Sequence, residues 1–296
     1  MLLLLLFSFG CSILEPTLYH VYTLYLFTLT DYKTIFIPIT VFACSTAPIH
    51  SISNLFHGST WIWMHLLMCN VSNQLRGEQE DAVNRPWRPL PSTRMTKRQA
   101  TTLRWAMVVL CLLYSSAYGH RLAYVTVGLF ITTYVYDDLG FSQSPLGKSF
   151  CNVGGYATFE IGATKIMGAE HELDTTSLAS VFLSGMVIFT TIQVQDYPDI
   201  EGDTASGRVT FPIYAPEFSR LFTLSSIIIW SFALSWFWDI GILSQCFLAG
   251  LGVYVGARYY LHRTPIADKK SYKLFNVWLV LIHLLPLHAR IRVFLY

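Results

Sequence analysis

Apolar runs of helical length alternate with short polar segments along almost the whole chain. A helix that crosses the hydrocarbon layer of a bilayer, about 30 Å thick, needs about 20 predominantly apolar residues. This pattern predicts an all-α membrane protein with nine transmembrane helices. No linker or change of composition divides the chain, so we expect one domain over residues 1–296. The predicted spans are residues 32–54, 58–75, 99–117, 120–137, 149–168, 175–195, 219–237, 240–261 and 274–294.

The composition supports this prediction. The chain is 53% hydrophobic and only 13% charged, whereas soluble domains carry about 25% charged residues. The formal net charge of +2 is too small to indicate a nucleic-acid partner, and nothing indicates an obligatory protein partner. Residues 1–31 open with the run MLLLLLFSFG but lack the basic start and the cleavage site of a signal peptide. We therefore expect them to form an apolar or interfacial lead-in that stays attached.

Lysine and arginine concentrate in the loops after the second, fourth, sixth and eighth spans. Cytosolic loops of membrane proteins keep an excess of positive charge. These loops and the amino terminus are therefore predicted to face the cytosol. For a eukaryotic protein, we expect the membrane to be that of the endoplasmic reticulum. The basic residues of these loops are Arg76, Arg85, Arg88, Arg94, Lys97, Arg98, Lys148, Arg208, Arg220, Arg263, Lys269, Lys270 and Lys273.

The first acidic segment, NQLRGEQEDAVNRPWRP, covers residues 73–89 at the end of the second span. On a helix with 3.6 residues per turn, its polar positions fall within about a quarter of the circumference. We expect Pro86 to end that helix, because a residue that precedes proline is disfavoured in the helical conformation. The positions that share this face are Asn73, Gly77, Glu80, Asp81 and Asn84.

The second acidic segment, QVQDYPDIEGDTASGR, covers residues 193–208 at the end of the sixth span, on the same predicted side. On a continuous helix, Asp196, Asp199 and Asp203 would share one face, although Pro198 and Gly202 can bend or end it. Charge near the bilayer centre costs at least about 2.5–3.5 kcal/mol, so such clusters are usually functional. A solvated loop would explain either segment alone, but it does not explain both at helical spacing on one side.

Carboxylate and amide oxygens suit Mg²⁺, which takes few protein ligands and fills its remaining positions with water and phosphate. The two segments therefore predict two metal sites that face one diphosphate. The guanidinium groups of Arg88 and Arg208 suit phosphate oxygens. Lys148 and Asn152, beside the start of the fifth span, are further candidates. A plain positive-inside charge for Lys148 and an interhelical hydrogen bond for Asn152 remain alternatives, and Asp137 and Asp138 are expected to have a structural or rim role.

With these residues in hand, the chain resembles the UbiA superfamily of intramembrane prenyltransferases. Its first motif, N-x-x-x-D-x-x-x-D with an R-P-x-P-like tail, is matched by Asn73, Asp81 and the sequence RPLPS at 88–92. Its second, D-x-x-D-x-x-x-D, is matched in full by the aspartates of the second segment. The resemblance covers nearly the whole chain. It implies nine helices around a lipid-open central cavity and a prenyl diphosphate bound through Mg²⁺. The implied metal ligands are Asn73, Glu80, Asp81, Asp196, Asp199 and Asp203.

One position departs from the family pattern. The middle aspartate of the first motif is Gly77 here, and we expect Glu80, on the same predicted face, to supply the missing carboxylate. The form EDxxNRPWRP is similar to that of the fungal UbiA-type terpene cyclases.

The resemblance therefore implies a terpene cyclase that acts on farnesyl or geranylgeranyl diphosphate. The alternative is a prenyltransferase that uses an aromatic or meroterpenoid acceptor. A transporter or scaffold would leave the paired motifs unexplained. Both enzymes form an allylic cation, which aromatic faces stabilise by about 0.5–2 kcal/mol each. The aromatic candidates for the cavity wall are Trp61, Trp63, Tyr134, Tyr136, Phe159 and Tyr197.

Overall fold

The computed structural model describes residues 17–169 and 172–295, and these residues fold almost entirely into helices, as the all-α prediction requires. In chain order the helices are α1 (Thr17–Thr46), α2 (Ile52–Arg76), α3 (Glu78–Asn84), α4 (Lys97–Ser116), α5 (His120–Asp137), α6 (Pro145–Met167), α7 (Thr175–Thr191), α8 (Ile200–Ala205), α9 (Phe211–Tyr214), α10 (Pro216–Phe237), α11 (Ile242–Leu261), α12 (Pro265–Leu284) and α13 (Pro286–Ile291).

Within the part of the chain that the structure describes, four helical stretches are long and apolar enough to cross a membrane: Thr17–Thr46, Thr175–Ala205, Pro216–Phe237 and Pro265–Ile291. Large apolar side chains on the outer surface, among them Phe182 and Trp236, are exposed, as is expected of helices that face lipid rather than water. The predicted spans from 58–75 to 240–261 each fall on a long helix. The count of nine membrane crossings remains a prediction.

The prediction for the first span is wrong at both ends. Helix α1 runs from Thr17 to Thr46, with a 3₁₀ turn at Leu29–Asp31 and a π-helical turn at Tyr32–Phe36. The charges of Asp31 and Lys33 suggested that a helix begins near residue 32. Both residues instead line a central cavity, which gives them a polar environment in the middle of a longer helix. The next helix starts at Ile52 because the Ser51 hydroxyl caps it, accepting a hydrogen bond from the amide of Asn54 at 3.1 Å. Residues 1–16 of the predicted lead-in lie outside the described residues, and residues 17–31 belong to α1.

The last span was also predicted to begin too late, at residue 274. Helix α12 begins at Pro265, where the Thr264 hydroxyl accepts a hydrogen bond from the amide of Ala267 at 3.2 Å. Charge in the first turns suggested a loop, but Asp268 is buried and bound by both terminal nitrogens of Arg220 at 3.0 and 2.9 Å. Lys269, Lys270 and Lys273 consequently lie on this helix rather than in a loop.

Interhelical polar contacts and one close glycine contact fix the position of α2 in the bundle. A Cβ added to Gly162 on α6 would lie only 2.2 Å from the Trp61 ring, so glycine is required for this approach. The Trp61 indole donates to the Ser115 hydroxyl at 2.8 Å, and the His65 ring bonds the Thr126 hydroxyl at 2.9 Å. Hydrogen bonds of this kind stabilise helix association inside a membrane. The bundle therefore holds the end of α2, which carries the first acidic segment, in a fixed place.

Asp138 connects three helices at the end of the bundle where the acidic segments lie. It follows α5 directly and accepts hydrogen bonds from Arg76 on α2 and Arg104 on α4. The hydrogen bond from Arg104 is the main cause that holds the pKa of the Asp138 carboxyl below its usual range, against the opposing effect of partial burial. The structural role expected for Asp138 is consistent with these contacts.

We expect Asp138→Asn to destabilise the fold by about 3 kcal/mol, because it leaves the buried Arg104 guanidinium without a counter-charge. Thermal unfolding of the purified protein in lipid nanodiscs measures this loss. Glu217→Gln is the matched control, since the ion pair of Glu217 with Arg263 is exposed and such pairs contribute little. Equal unfolding temperatures for the two variants would contradict this account of Asp138.

Candidate active site

A central cavity of about 470 Å³ lies between α1, α2, α3, α5, α6, α8 and α12. At one end its wall is densely charged, whereas further in the wall is formed by side chains such as Ile35, Leu66, Leu129 and Phe159. The cavity therefore combines a polar end with an apolar interior. The charged residues that line it are Asp31, Lys33, Glu80, Arg85, Arg88, Asp137, Lys148, Asp196, Asp199, Asp203, Arg208, Lys269 and Lys273.

The two acidic segments meet where α3 packs against α8. A Cβ added to Gly202 would lie 2.2 Å from the Asn84 side chain, so only glycine allows this contact. Asn84 Nδ2 donates to the backbone carbonyl of Asp199 at 3.3 Å, and Arg85 Nη2 lies 2.5 Å from Asp199 Oδ2. The motifs, more than 100 residues apart in the chain, thus form one surface.

The first segment is divided between two helices. Helix α2 ends at Arg76, Gly77 follows as its cap, and α3 begins at Glu78 and ends at Asn84 shortly before Pro86. The prediction that Pro86 ends this helical segment is confirmed, whereas a single uninterrupted helix is not observed. Asn73 and Glu80 both line the cavity despite the break.

The second segment also departs from a continuous α-helix. It forms 3₁₀ turns at Ile192–Gln195 and Tyr197–Asp199 before α8 begins. Residues three apart eclipse one another in a 3₁₀ turn, and residues four apart lie close together on an α-helix. The change of helix type at Asp199 therefore keeps Asp196, Asp199 and Asp203 on the cavity wall.

Each acidic residue of the motifs is paired with a base. Such pairing neutralises charges that would otherwise be unfavourable inside the bundle. A ligand that brings its own charges must therefore exchange partners with these pairs. The pairs are Asp81 with Arg88 at 2.6 Å, Asp196 with Lys148 at 2.6 Å, Asp199 with Arg85 at 2.5 Å, Glu80 with Arg208 at 2.8 Å and Asp203 with Arg208 at 3.4 Å.

Asp81 is the one predicted metal ligand that does not line the cavity. Its carboxylate is held by Arg88, which does line the cavity, and the side chain is buried. Burial raises the pKa of the Asp81 carboxyl to about 6, although Arg88 and Arg85 act in the opposite direction. Asp81 can reach a ligand in the cavity only if Arg88 releases it.

The donor chemistry fits a hard cation such as Mg²⁺. Buried carboxylate oxygens of Asp81, Asp137 and Asp203 have no hydrogen-bond partner, and oxygen atoms are the ligands that Mg²⁺ prefers. Among the described residues, however, no three His, Cys, Asp or Glu side chains converge on one point. The motif carboxylates instead bond the basic side chains beside them, so metal binding by both motifs requires these ion pairs to open.

Two predicted residues have simple local contacts. Asn73 Nδ2 donates to Asp137 Oδ1 at 3.1 Å, so Asp137 belongs to the cavity rather than only to its rim. Asn152 also lines the cavity, and its Nδ2 donates to the backbone carbonyl of Lys148 one turn earlier at 2.8 Å. The interhelical bond considered for Asn152 is therefore not among its contacts.

Several cavity residues were missed because the helices that carry them were placed incorrectly. Asp31 on α1 accepts hydrogen bonds from Asn70 Nδ2 at 2.9 Å and from the Thr34 hydroxyl at 2.8 Å. Lys33, Lys269 and Lys273 line the same cavity without a carboxylate partner among the described residues. The sequence had placed Asp31 in the lead-in, Lys33 at the start of the first span, and Lys269 and Lys273 in a loop, because each lies at the edge of an apolar run.

The aromatic predictions are partly wrong. Tyr136 and Phe159 line the cavity, together with Trp87, Tyr156 and Tyr272, which were not predicted. Helical spacing alone does not tell which face of a span is turned inward. The predicted aromatics that do not line the cavity are Trp61, Trp63, Tyr134 and Tyr197.

The UbiA prenyltransferase family matches residues 34–280 of the chain. The chain belongs to this family. The resemblance inferred from the two acidic motifs is thereby confirmed, and the apolar helices are those of an integral membrane protein. Solved structures with the same fold include a digeranylgeranylglyceryl phosphate synthase, at 18% identity with a TM-score of 0.66 over 92% of this chain and 99% of that one. A UbiA homolog from Archaeoglobus fulgidus bound to GPP and Mg²⁺ has 16% identity and a TM-score of 0.63 over 90% of this chain and 99% of that one.

Curated relatives in this family include terpene synthases. The fumagillin beta-trans-bergamotene synthase af520 of Aspergillus fumigatus is 27% identical over 271 residues, which cover 91% of this chain and 93% of that protein. The diterpene cyclase eriG of Hericium erinaceus is also 27% identical over 271 residues, which cover 86% of this chain and 84% of that protein.

Proposed function

We propose that this UbiA-family protein is a terpene cyclase that ionises a linear prenyl diphosphate, farnesyl or geranylgeranyl, and closes the hydrocarbon onto itself. The observation that carries the proposal is the division of one cavity into a charged end and an apolar interior. A prenyl diphosphate has the same division between its diphosphate and its hydrocarbon chain. The terpene synthases among the relatives favour cyclisation as the reaction.

The residues of the two motifs would hold Mg²⁺, namely Asn73, Glu80, Asp81, Asp196, Asp199 and Asp203. When bound, the metal supplies Lewis-acid stabilisation of the departing diphosphate. Opening of the ion pairs frees Arg88, Arg208 and Lys148 to bind diphosphate oxygens, with Asn152 beside them. The same exchange leaves every buried charge with a partner, which makes ligand binding compatible with the low-dielectric interior.

Lys33, Lys269 and Lys273 strengthen the proposal because they add positive charge to the cavity wall and form no ion pair with a carboxylate of the described residues. Preorganised positive charge at the place where a leaving group becomes anionic is an efficient form of catalysis. The Lys33 ammonium lies 5.2 Å from the Tyr272 ring centroid, which positions it on the cavity wall.

The apolar interior suits the second half of the reaction. A carbocation persists only where water is excluded, and aromatic faces stabilise it by about 0.5–2 kcal/mol each. Tyr156 and Phe159 lie on that wall, and the Tyr156 hydroxyl donates to the Thr34 carbonyl at 2.7 Å instead of projecting freely. We propose that the substrate's own alkenes are the nucleophile, with the charged end of the cavity at the cytosolic face.

An intermolecular prenyltransferase is the second candidate. The polyprenyl transferase eriF of Hericium erinaceus is 24% identical over 170 residues, which cover 56% of this chain and 57% of that protein. The unpaired lysines would also suit an anionic acceptor. Both candidates share the ionisation step and differ only in the nucleophile.

The deciding experiment uses purified protein in nanodiscs with Mg²⁺ and farnesyl or geranylgeranyl diphosphate, but without an acceptor. We expect cyclic terpenes by gas chromatography and mass spectrometry, together with one released pyrophosphate per product. Addition of EDTA should stop both, because ionisation then lacks its Lewis acid. Turnover that begins only when a phenolic acceptor is added would identify a prenyltransferase instead, and turnover under neither condition would reject both functions.

A further inference from the structure

Helix α6 lines the cavity with a single face. The residues of this face follow one another at alternating steps of three and one, namely Lys148, Cys151, Asn152, Gly155, Tyr156 and Phe159. At a rise of 1.5 Å per residue, Gly155 lies about 10 Å beyond Lys148 along the helix axis, and Phe159 about 16 Å beyond it. Gly155 therefore lies between the charged end of the cavity and its apolar interior.

Glycine within a helix is less favourable than alanine, so a helical glycine usually has a packing reason. On the same helix, a Cβ at Gly154 would lie 3.2 Å from the Thr132 side chain, and one at Gly162 would overlap the Trp61 ring. A Cβ at Gly155 would have nothing within 4 Å. Close approach of a neighbouring helix thus explains Gly154 and Gly162 but does not explain Gly155.

We propose that Gly155 determines the length of the prenyl chain that the cavity accepts. Because glycine has no side chain, the cavity stays open to the part of the substrate's hydrocarbon that lies beyond its first isoprene units. The inference rests on the proposed function, in which the diphosphate binds at the charged end. A chain anchored beside Lys148 then has to pass Gly155 to reach the wall at Phe159. A methyl group at position 155 would enter that passage without meeting another protein atom within 4 Å.

The test compares Gly155→Ala and Gly155→Leu with the unchanged protein, using geranyl, farnesyl and geranylgeranyl diphosphates with Mg²⁺. We expect Gly155→Leu to lower kcat/KM for the C15 or C20 substrate relative to geranyl diphosphate by about tenfold or more, with Gly155→Ala shifting the ratio in the same direction. The matched control is Gly250→Leu on α11. Gly250 is also helical with nothing within 4 Å of an added Cβ, but it is exposed and outside the cavity.

Thermal unfolding separates this role from a structural one. Both Gly155 variants should unfold at or above the temperature of the unchanged protein, because the added Cβ meets open space and helix propensity improves. An unchanged substrate ratio in folded variants would overturn the inference. If Gly155→Leu fails to fold, the ratio measured for Gly155→Ala decides. Absence of turnover by the unchanged protein on all three substrates would instead reject the proposed function.

Discussion

Asp199→Asn is expected to lower kcat/KM for the prenyl diphosphate by about a thousandfold while leaving the protein folded. Asp199 lies on the cavity wall where the two motifs meet, and its carboxylate bonds Arg85 across that contact. Asparagine keeps the volume and one oxygen but removes the negative charge. The proposed metal site would then lose a ligand, and ionisation of the diphosphate would lose much of its electrostatic stabilisation.

The fold should tolerate this change. The contact between α3 and α8 also depends on Gly202 and on the bond from Asn84 to the backbone carbonyl of Asp199, neither of which involves the lost carboxylate. Arg85 retains Asp81 at 4.0 Å as a second acidic partner. Circular dichroism and thermal unfolding in nanodiscs measure whether the variant remains folded.

Glu201→Gln is the matched control for Asp199→Asn. Glu201 belongs to the same segment, but it is exposed and does not line the cavity. Its variant should keep the activity of the unchanged protein. Comparable losses for both variants would indicate a general effect of charge in this segment and would contradict the role proposed for Asp199.

Two features made the fold and the site predictable in large part. Apolar runs of membrane-spanning length located the long helices α2, α4, α5, α6, α7, α10 and α11, and polar residues at helical spacing located the two motifs. The sequence also predicted that the two motifs lie on the same side of the membrane, because both follow even-numbered spans, whose loops carry the basic residues. In the structure the two motifs do lie together, and Asn84 of the first contacts Gly202 of the second.

The missed residues share one cause. Hydropathy treats charge as a sign of solvent, but Asp31 and Lys33 on α1 face a polar cavity inside the bundle, and Asp268 on α12 is neutralised by Arg220. These environments arise only from tertiary contacts. The state of Asp81 could not be predicted for the same reason, because its burial behind the Arg88 contact depends on how α3 packs.

Glu80→Gln is the second large effect that we expect, a loss of about a hundredfold in kcat/KM. A Cβ at Gly77, where the family motif has its middle aspartate, would lie 3.8 Å from Glu80 Oε2. The Glu80 carboxylate thus lies close to the space that an aspartate side chain at position 77 would occupy. Glu78→Gln is the control for charge, because Glu78 pairs with Lys97 and does not line the cavity.

A rescue variant tests whether Glu80 replaces the aspartate or merely contributes negative charge. Gly77 has a φ of −94°, which any residue adopts, and the nearest atom to an added Cβ is the Asn73 carbonyl oxygen at 3.2 Å. An aspartate therefore fits at position 77 after a small local adjustment. Adding Gly77→Asp to Glu80→Gln should raise kcat/KM at least about tenfold above that of Glu80→Gln alone. It should also return the Mg²⁺ concentration for half-maximal rate to that of the unchanged protein. Adding Gly77→Asn, which has the same shape without the charge, should recover neither. Equal activity of the two double variants would contradict the proposal that Glu80 supplies the carboxylate that the family motif places at position 77.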